Sequence, residues 1–552
     1  MRMKKVIYPA LLSLVLVLAF FLRFYKLTSD PPSLNWDEVA IGYNAYSILK
    51  TGKDEWGVKL PLNFESYSEY KLPTQIYASI PAIAIFGLND FSVRITPVIY
   101  GVLTVLSVYF LTYALFKKKS VALLTAFLVA TSAWHIQLTR ASFESSFSVL
   151  WVVLGLWLLI LGFKKPKYWI VSAIPFAISV YTYNSARVFT PLFLLAILLI
   201  YRKEFLKNVK YAVAATILLF VLVAPLIPII LNGQATDRYK LVSITNDPGL
   251  IPRIDQARNN SKLPPLLTKL VYNRVTYVSI YFTENYLAHF TPNFLFISGA
   301  GHKQHNVQGM GELYLFQAPF ILVGLYFLFK KKVPFRWLLL SWLLIAFIPV
   351  ATTDDSIPNA LRTIIAEPFY ELITAYGIYE VYLWAKDKKI TSYVLWGATI
   401  ILASYNFYHY LYLFYDVYPY KYSEDWQYGY EQAVSYIQKN YSKYDLIVFT
   451  RTYGEPYMFT LFYLKYDPAE FQNNPNLDRF IANNWEWVLK FDKFYFPDLG
   501  DPGTHYQDIV KANPGKKILF IGKPGDFPAG TPILEQINFL DGKGDFQITD
   551  IK

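Results

Sequence analysis

Apolar residues in this chain gather in long runs, parted by short polar loops rich in lysine and arginine. A membrane-spanning helix needs about 20 mostly apolar residues. The candidate runs are 6–24, 91–116, 120–134, 145–163, 168–183, 188–201, 211–231, 313–329, 335–351, 362–384 and 392–414. Several are short and are completed by neighbouring residues or by tilt. Basic clusters stand at 2–5, 117–119, 164–167, 202–210, 330–336 and 386–389. Lysine and arginine mark cytoplasmic loops. The loops 26–90, 134–144, 183–187, 232–312 and 352–362, and the chain after Tyr415, are therefore expected outside. The run 72–86 has only about 15 apolar positions, short of a span, and Pro81 interrupts it. It reads as an interfacial or re-entrant helix on the outer side. Eleven crossings follow, with the N-terminus in and the C-terminus out.

The outer loop 232–312 is long, and long loops are usually functional. It carries Pro252, Pro264 and Pro265, then an apolar and aromatic stretch, 270–287, that suggests a surface helix. After Tyr415 the apolar runs shorten, and Asp, Asn, Gly and Pro rise. Residues 428–441 read as a helix. The short apolar runs 446–450 and 517–522 read as buried strands. Segments 533–539 and 545–551 flank Asp541-Gly542-Lys543-Gly544, a hairpin signal. The expected division is a transmembrane module, 1–414, and a small extracytoplasmic α/β domain, 415–552. No internal repeat is evident.

Composition agrees with a polytopic α-helical membrane protein. The chain has 552 residues, of which 54% are hydrophobic and 17% charged, against about 25% charged in soluble domains. Tyrosine (46) and phenylalanine (42) are abundant, and aromatic rings with a polar tip favour membrane interfaces. There is no cysteine, which excludes disulfides, thiolate zinc sites and a cysteine nucleophile. The net charge of +12 lies mostly in short loops, so it reports topology and not nucleic-acid binding. Met1-Arg2-Met3-Lys4-Lys5 before an apolar run resembles a signal peptide. No small-residue cleavage site follows it, so the run is read as a retained first helix.

Chemistry concentrates just beyond that first helix. Asn35-Trp36-Asp37-Glu38 places two adjacent carboxylates where the chain leaves the membrane. Residues 39–46 after them are expected to form a short helix along the surface. The same loop closes on Glu69-Tyr70-Lys71-Leu72-Pro73, which returns a lysine to the same membrane face. Further outer motifs are Ser92-Val93-Arg94 ahead of Pro97, Thr139-Arg140-Ala141-Ser142-Phe143-Glu144, and Pro358-Asn359-Ala360-Leu361-Arg362.

In this order, over roughly residues 1–412, these motifs resemble the bacterial and archaeal branch of the GT-C superfamily. That branch is similar to protein O-mannosyltransferases and the lipid A aminoarabinose transferase. The resemblance implies an integral-membrane glycosyltransferase of the cell membrane. It would move a sugar from a polyprenyl-phosphate donor to an acceptor hydroxyl on a protein, lipid or glycan, at the extracytoplasmic face. Asp37 matches the first-loop aspartate presumed to be the base, and Glu38 the second acidic position. Lys71 matches the lysine assigned to the lipid phosphate; two prolines follow that lysine in the aminoarabinose branch, where this chain has Leu72-Pro73. The family's last motif has a histidine where this chain has Asn359, so no histidine role is carried over.

The chemistry suits those assignments. An inverting transfer needs a base for the acceptor proton, and a partly desolvated carboxylate is a stronger base. Charge builds on the leaving phosphate, and cations placed there stabilise it; Lys71, Arg94, Arg140 and Arg362 are the candidates. Their bland alternative is snorkelling to lipid headgroups. Glu144 either supports the site or forms an i,i+4 helical pair with Arg140. No cofactor is firmly predicted. The candidates for a divalent metal are His302 with His305, and Asp354 with Asp355; a polar loop and a solvated turn are their plainer readings. The rival functions are a non-enzymatic flippase for lipid-linked sugars and a receptor or adhesion anchor. A transporter calls for inverted repeats and charges at the bilayer midplane, and the charges here lie at helix ends and in outer loops.

Overall fold

The computed structural model describes residues 2–234, 237–482 and 485–551, so Ala235 and Thr236 of the long loop 232–312 lie outside the described residues. The chain divides into two compact units, residues 1–25, 97–139 and 143–413 in one, and 26–96, 140–142 and 414–552 in the other.

The first unit is helical. Every apolar run within it is helical over most of its length. Among the described residues four helices are long and apolar enough to cross a membrane: Ile7–Phe24, Asp90–Phe116, Glu144–Gly162 and Val209–Leu231. The run 120–134 is not one straight helix. It breaks into Lys119–Thr131 and Ala133–Arg140, bent by 54°. Ser132 takes an extended backbone there, and its hydroxyl accepts from His135 N at 3.4 Å, the capping that opens a new helix. Arg23, fully buried at the end of the first helix, ties into this break. It donates to Thr139 Oγ1 (2.9 Å) and to the carbonyls of Ala130 (3.1 Å) and Val129 (3.2 Å), and its guanidinium meets His135 Nδ1 at 2.7 Å. The expected surface helix of the long loop is two helices, Pro265–Val271 and Arg274–Ala288.

The second unit is α/β. Its strands are β1 (Phe64–Ser66), β2 (Glu69–Lys71), β3 (Leu446–Phe449), β4 (Asp478–Ala482), β5 (Trp485–Phe491), β6 (Phe494–Tyr495), β7 (Ile518–Gly522), β8 (Glu535–Asn538) and β9 (Gly544–Ile551). Strands β1 and β2 form a hairpin, and the other seven form one sheet in the order β4-β5-β6-β3-β7-β9-β8. Strand β3 runs parallel to β6 and β7. The remaining pairs are antiparallel, including the expected β8–β9 hairpin. The apolar runs read as buried strands are β3 and β7. Strands β4 and β5 give no strand signal in sequence, because they mix charged and apolar residues and are only half-buried.

The helix expected along the surface, residues 39–46, is instead the middle of Trp36–Thr51 and is a core element. Val39, Ala40, Ile41, Tyr43 and Ala45 are buried in one cluster with Val434, Ile437, Phe459, Leu461 and Phe462. A helix that is apolar on several faces needs cover on each of them. The helices Pro73–Phe86 and Pro456–Leu464 supply it. Gly42 permits the approach: a Cβ there would lie 2.6 Å from the Phe462 ring and 2.7 Å from Val93. The compact units do not follow the linear division at 414/415, because residues 26–96 share a core with the C-terminal sheet.

Candidate active site

The start of helix Trp36–Thr51 fixes the acidic pair. Asn35 Oδ1 accepts from Glu38 N (3.0 Å), and Glu38 Oε2 accepts from Asn35 N (3.2 Å). This is a capping box, and it turns the two acids apart. Glu38 is fully buried. Its carboxylate accepts from Arg94 Nε (3.0 Å) and Nη2 (2.9 Å) in bidentate fashion, and from Ser142 N (2.9 Å). Such charge-assisted fork pairs are strong and geometrically specific. Glu38 is therefore engaged in the interior, whereas Asp37 is partly open.

Arg94 and Arg140 are likewise engaged in the interior. Arg94, fully buried, also donates to the carbonyls of Leu27 (3.2 Å), Pro31 (2.7 Å) and Ser33. Arg140, equally buried, donates through Nε (3.0 Å) and Nη2 (2.7 Å) to the Asp30 carbonyl and through Nη2 to that of Lys26 (3.1 Å). Two guanidinium groups thus pin the 26–33 segment by its backbone, where the sequence suggests phosphate ligands.

Asp37 and Lys71 are placed differently. The Asp37 side chain is 37% exposed, and its carboxylate contacts Lys71 Nζ. Lys71 ends the β1–β2 hairpin, in register with Phe64. The two turn residues, Tyr67 and Ser68, both have left-handed φ, 58° and 63°. That conformation suits a two-residue hairpin turn but is strained for a tyrosine. Tyr67 Oη donates to the Trp36 carbonyl (3.1 Å) and so ties the turn to the helix start. Lys71 Nζ lies 5.5 Å from the centre of the Tyr67 ring.

Strand β5 brings further residues to this place. Trp485 stacks on Tyr67, nearly parallel, with centroids 5.7 Å apart, and lies 5.8 Å from Trp36. Its Nε1 donates to Glu455. Burial raises the Glu455 carboxyl from its ordinary 4.5 to about 8, and the nearby Glu55 carboxylate adds to the rise. Burial likewise raises Glu55 to about 7. Both folded values exceed the unfolded one, so the folded state holds protons that the unfolded chain releases. Their stabilising effect is complete below about pH 4.5 and is lost as pH rises through 7 to 8. Glu455→Gln is expected to raise the unfolding temperature above wild type at pH 8 and to leave it unchanged at pH 4.5. Thermal melts at the two pH values check this; equal shifts at both would refute it.

The remaining candidates lie in the helical unit. Arg362 Nη1 donates to Thr353 Oγ1 (2.8 Å) and to the Asp355 carbonyl (3.1 Å), and Nη2 to Asp355 Oδ2 (2.7 Å). Asn359 caps the helix turn carrying Arg362, accepting from its N–H at 2.9 Å. Beside this motif the structure brings His289, which the sequence reading passed over. Its Nε2 accepts from Asn359 N (3.0 Å) and its Nδ1 faces the Asn285 carbonyl (2.7 Å). Burial lowers it to about 4, the neutral form that these contacts require. Glu144 begins a new helix, Glu144–Gly162, while Arg140 ends the previous one. The two thus do not share one helix, and Glu144 lies within electrostatic reach of Arg187. The His302 and His305 rings stack at 3.7 Å. Among the described residues, no three His, Asp or Glu side chains converge to hold a metal ion.

The dolichyl-phosphate-mannose-protein mannosyltransferase family matches residues 77–228. No curated protein sequence matches the chain. Among solved structures, ArnT from Cupriavidus metallidurans bound to undecaprenyl phosphate is similar over 98% of this chain and 97% of its own, with 12% identity and TM-score 0.52. The archaeal oligosaccharyltransferase AglB from Archaeoglobus fulgidus, in complex with an inhibitory peptide and a dolichol-phosphate, is similar over 83% of this chain, with 14% identity and TM-score 0.51. A form of the Archaeoglobus fulgidus enzyme tethered to an acceptor peptide with the NVT sequon gives 16% identity and TM-score 0.50 over 83% of this chain. The chain spans 64% of the AglB length. These likenesses establish the fold: a helical membrane protein of GT-C architecture.

Proposed function

We propose that this chain is a glycosyltransferase that moves a sugar from a polyprenyl-phosphate donor to an acceptor hydroxyl, with Asp37 as general base. The observation that carries this is the Asp37–Lys71 contact: an accessible carboxylate and a buried lysine, each held on a frame of buried ion pairs and backbone hydrogen bonds. Undecaprenyl phosphate and dolichol-phosphate in the similar structures support a lipid-phosphate donor. The acceptor is a peptide, lipid or glycan hydroxyl. Its oxygen attacks the anomeric carbon while Asp37 takes its proton. The bond from that carbon to the phosphate oxygen breaks, and the polyprenyl phosphate leaves. Lys71 is held by Asp37 before the donor arrives. As the phosphate enters, Lys71 turns to it, stabilises the charge that develops, and frees Asp37 to act. Transfer of radiolabelled sugar from polyprenyl phosphate to extracted membranes tests the reading, with wild type against Asp37→Asn.

Lys71→Ala is expected to raise the apparent KM for donor and to lower kcat as well, because the contact tightens as charge develops. Lys71→Arg recovers part of the loss, since a planar fork replaces a point charge. Steady-state kinetics at varied donor concentration separate the two constants; unchanged donor KM in Lys71→Ala would remove Lys71 from the phosphate site.

The topology proposed with this function has eleven crossings in the cell membrane, with the N-terminus in and Asp37 outside. The chain lacks cysteine, so single cysteines report cleanly. At the exposed positions Lys262 and Ala469 a cysteine is expected to react with an impermeant thiol reagent in intact cells. At the exposed Ser120 it is expected not to react. Labelling of the Ser120 site from outside would mean that helix Pro73–Phe86 crosses the membrane.

A further inference from the structure

The helical unit holds an apolar cavity of about 220 Å³, lined by five successive helices between Glu144 and Val223. Leu159, Trp169, Phe176, Leu198, Phe205 and Leu219 form its walls. Its two hydroxyls are already satisfied: Ser172 Oγ donates to the Trp169 carbonyl and Thr216 Oγ1 to that of Ala212. Trp169 fits there because residue 162 is glycine; a Cβ at 162 would lie 2.0 Å from the indole. The indole N–H is buried with no acceptor among the described residues.

One end of the cavity is closed by rings and rimmed by cations. Phe163 meets Trp169, Tyr201, Phe205 and Phe335 with centroids 4.9 to 5.9 Å away. Such aromatic clusters sit at the level of lipid headgroups. The segments around Phe163 and Tyr201 expose Lys164, Lys165, Lys167, Arg202, Lys203, Lys207 and Lys210, with Glu204 as the acid among them. Lys117 adds a further positive charge facing Lys164. Charge placement that only reports topology needs no cavity beside it. Here apolar space opens beside an aromatic collar ringed by cations.

We propose that this groove binds one anionic glycerophospholipid, with an acyl chain among the helices Lys167–Val180, Asn184–Ile200 and Val209–Val223 and the phosphate against Lys164, Lys203 and Lys207. Basic pockets between transmembrane helices recognise anionic headgroups, and each lysine near the headgroup strengthens the attraction. The lipid closes the opening between these helices, much as a buried side chain would. Neither Asp37 nor Lys71 lines the groove, and its lipid is not the sugar carrier.

The test is native mass spectrometry of the full chain in detergent, after delipidation, with added dioleoyl phosphatidylglycerol or dioleoyl phosphatidylcholine. Wild type is expected to retain one phosphatidylglycerol about tenfold or more tightly than phosphatidylcholine. The triple variant Lys164→Gln, Lys203→Gln, Lys207→Gln should lose that preference. A control with equal charge change, Lys386→Gln, Lys388→Gln, Lys389→Gln, should keep it. Ala215→Phe, which fills the groove, should weaken retention of both lipids. Equal retention of the two lipids by wild type overturns the proposal without recourse to any variant. So does a triple variant that behaves as the control does. Displacement of phosphatidylglycerol by equimolar polyprenyl phosphate overturns it too, because the occupant would then be the carrier.

Discussion

Asp37→Asn is expected to lower sugar transfer by a factor of about 10² to 10⁴, the contribution typical of a general base, while donor lipid still binds. Asparagine keeps the size of the side chain and one acceptor oxygen. It cannot take the proton of the attacking hydroxyl. It also cannot hold Lys71 by charge, so the lysine is more available to the phosphate, and donor affinity is expected to stay or improve. The two constants therefore move in different directions: kcat falls, and donor KM does not rise. Initial rates at saturating and limiting donor check this. A folded, inserted Asp37→Asn protein that transfers at the wild-type rate would show that another group is the base. Glu38 is a poor successor, because its carboxylate is already engaged by Arg94, Ser142 N and Asn35 N in the interior.

Arg94→Ala is expected to have the largest effect on stability, about 3–5 kcal/mol, the cost of breaking a buried ion pair by removing one partner. Both side chains are fully buried. The substitution strands the Glu38 carboxylate and, with it, the carbonyls of Leu27, Pro31 and Ser33. Arg94→Ala with Glu38→Leu removes the charge left behind, so the double variant is expected to be less destabilised than the sum of its singles. Thermal unfolding in detergent, followed by tryptophan fluorescence, measures the cycle. A wild-type melting temperature for Arg94→Ala would refute the frame role. Should Arg94 instead be a phosphate ligand, the variant would melt normally and show a raised donor KM.

These two substitutions show how far the site could be read in advance. The loop 26–90 stands out in sequence because acids and a lysine there interrupt a chain otherwise poor in charge. Asn35-x-x-Glu38 is also the signature of a capping box, a local signal that was available for Glu38. Nothing local separates Arg94 and Arg140 from phosphate ligands, because an arginine at a helix end has the same neighbours in sequence whether it faces a carbonyl or a ligand. His289 was equally silent, since its partner Asn359 lies 70 residues away.

By itself the sequence determined the membrane class, the helical runs, the β8–β9 hairpin, and the loop in which Asp37 and Lys71 lie. These depend on composition and on the spacing of apolar residues, and both act over a few turns of chain. The tertiary structure decided which acid is open and which is buried. Glu38 and Asp37 are neighbours on one helix, and only the arrival of Arg94 and Ser142, 56 and 104 residues on, makes one a frame and leaves the other exposed. It also decided that residues 39–46 are core, because cover for their several apolar faces comes from Phe459, Leu461 and Phe462, some four hundred residues away. A side chain's solvent and partners are set by whatever packs against it, and that is a property of the folded chain.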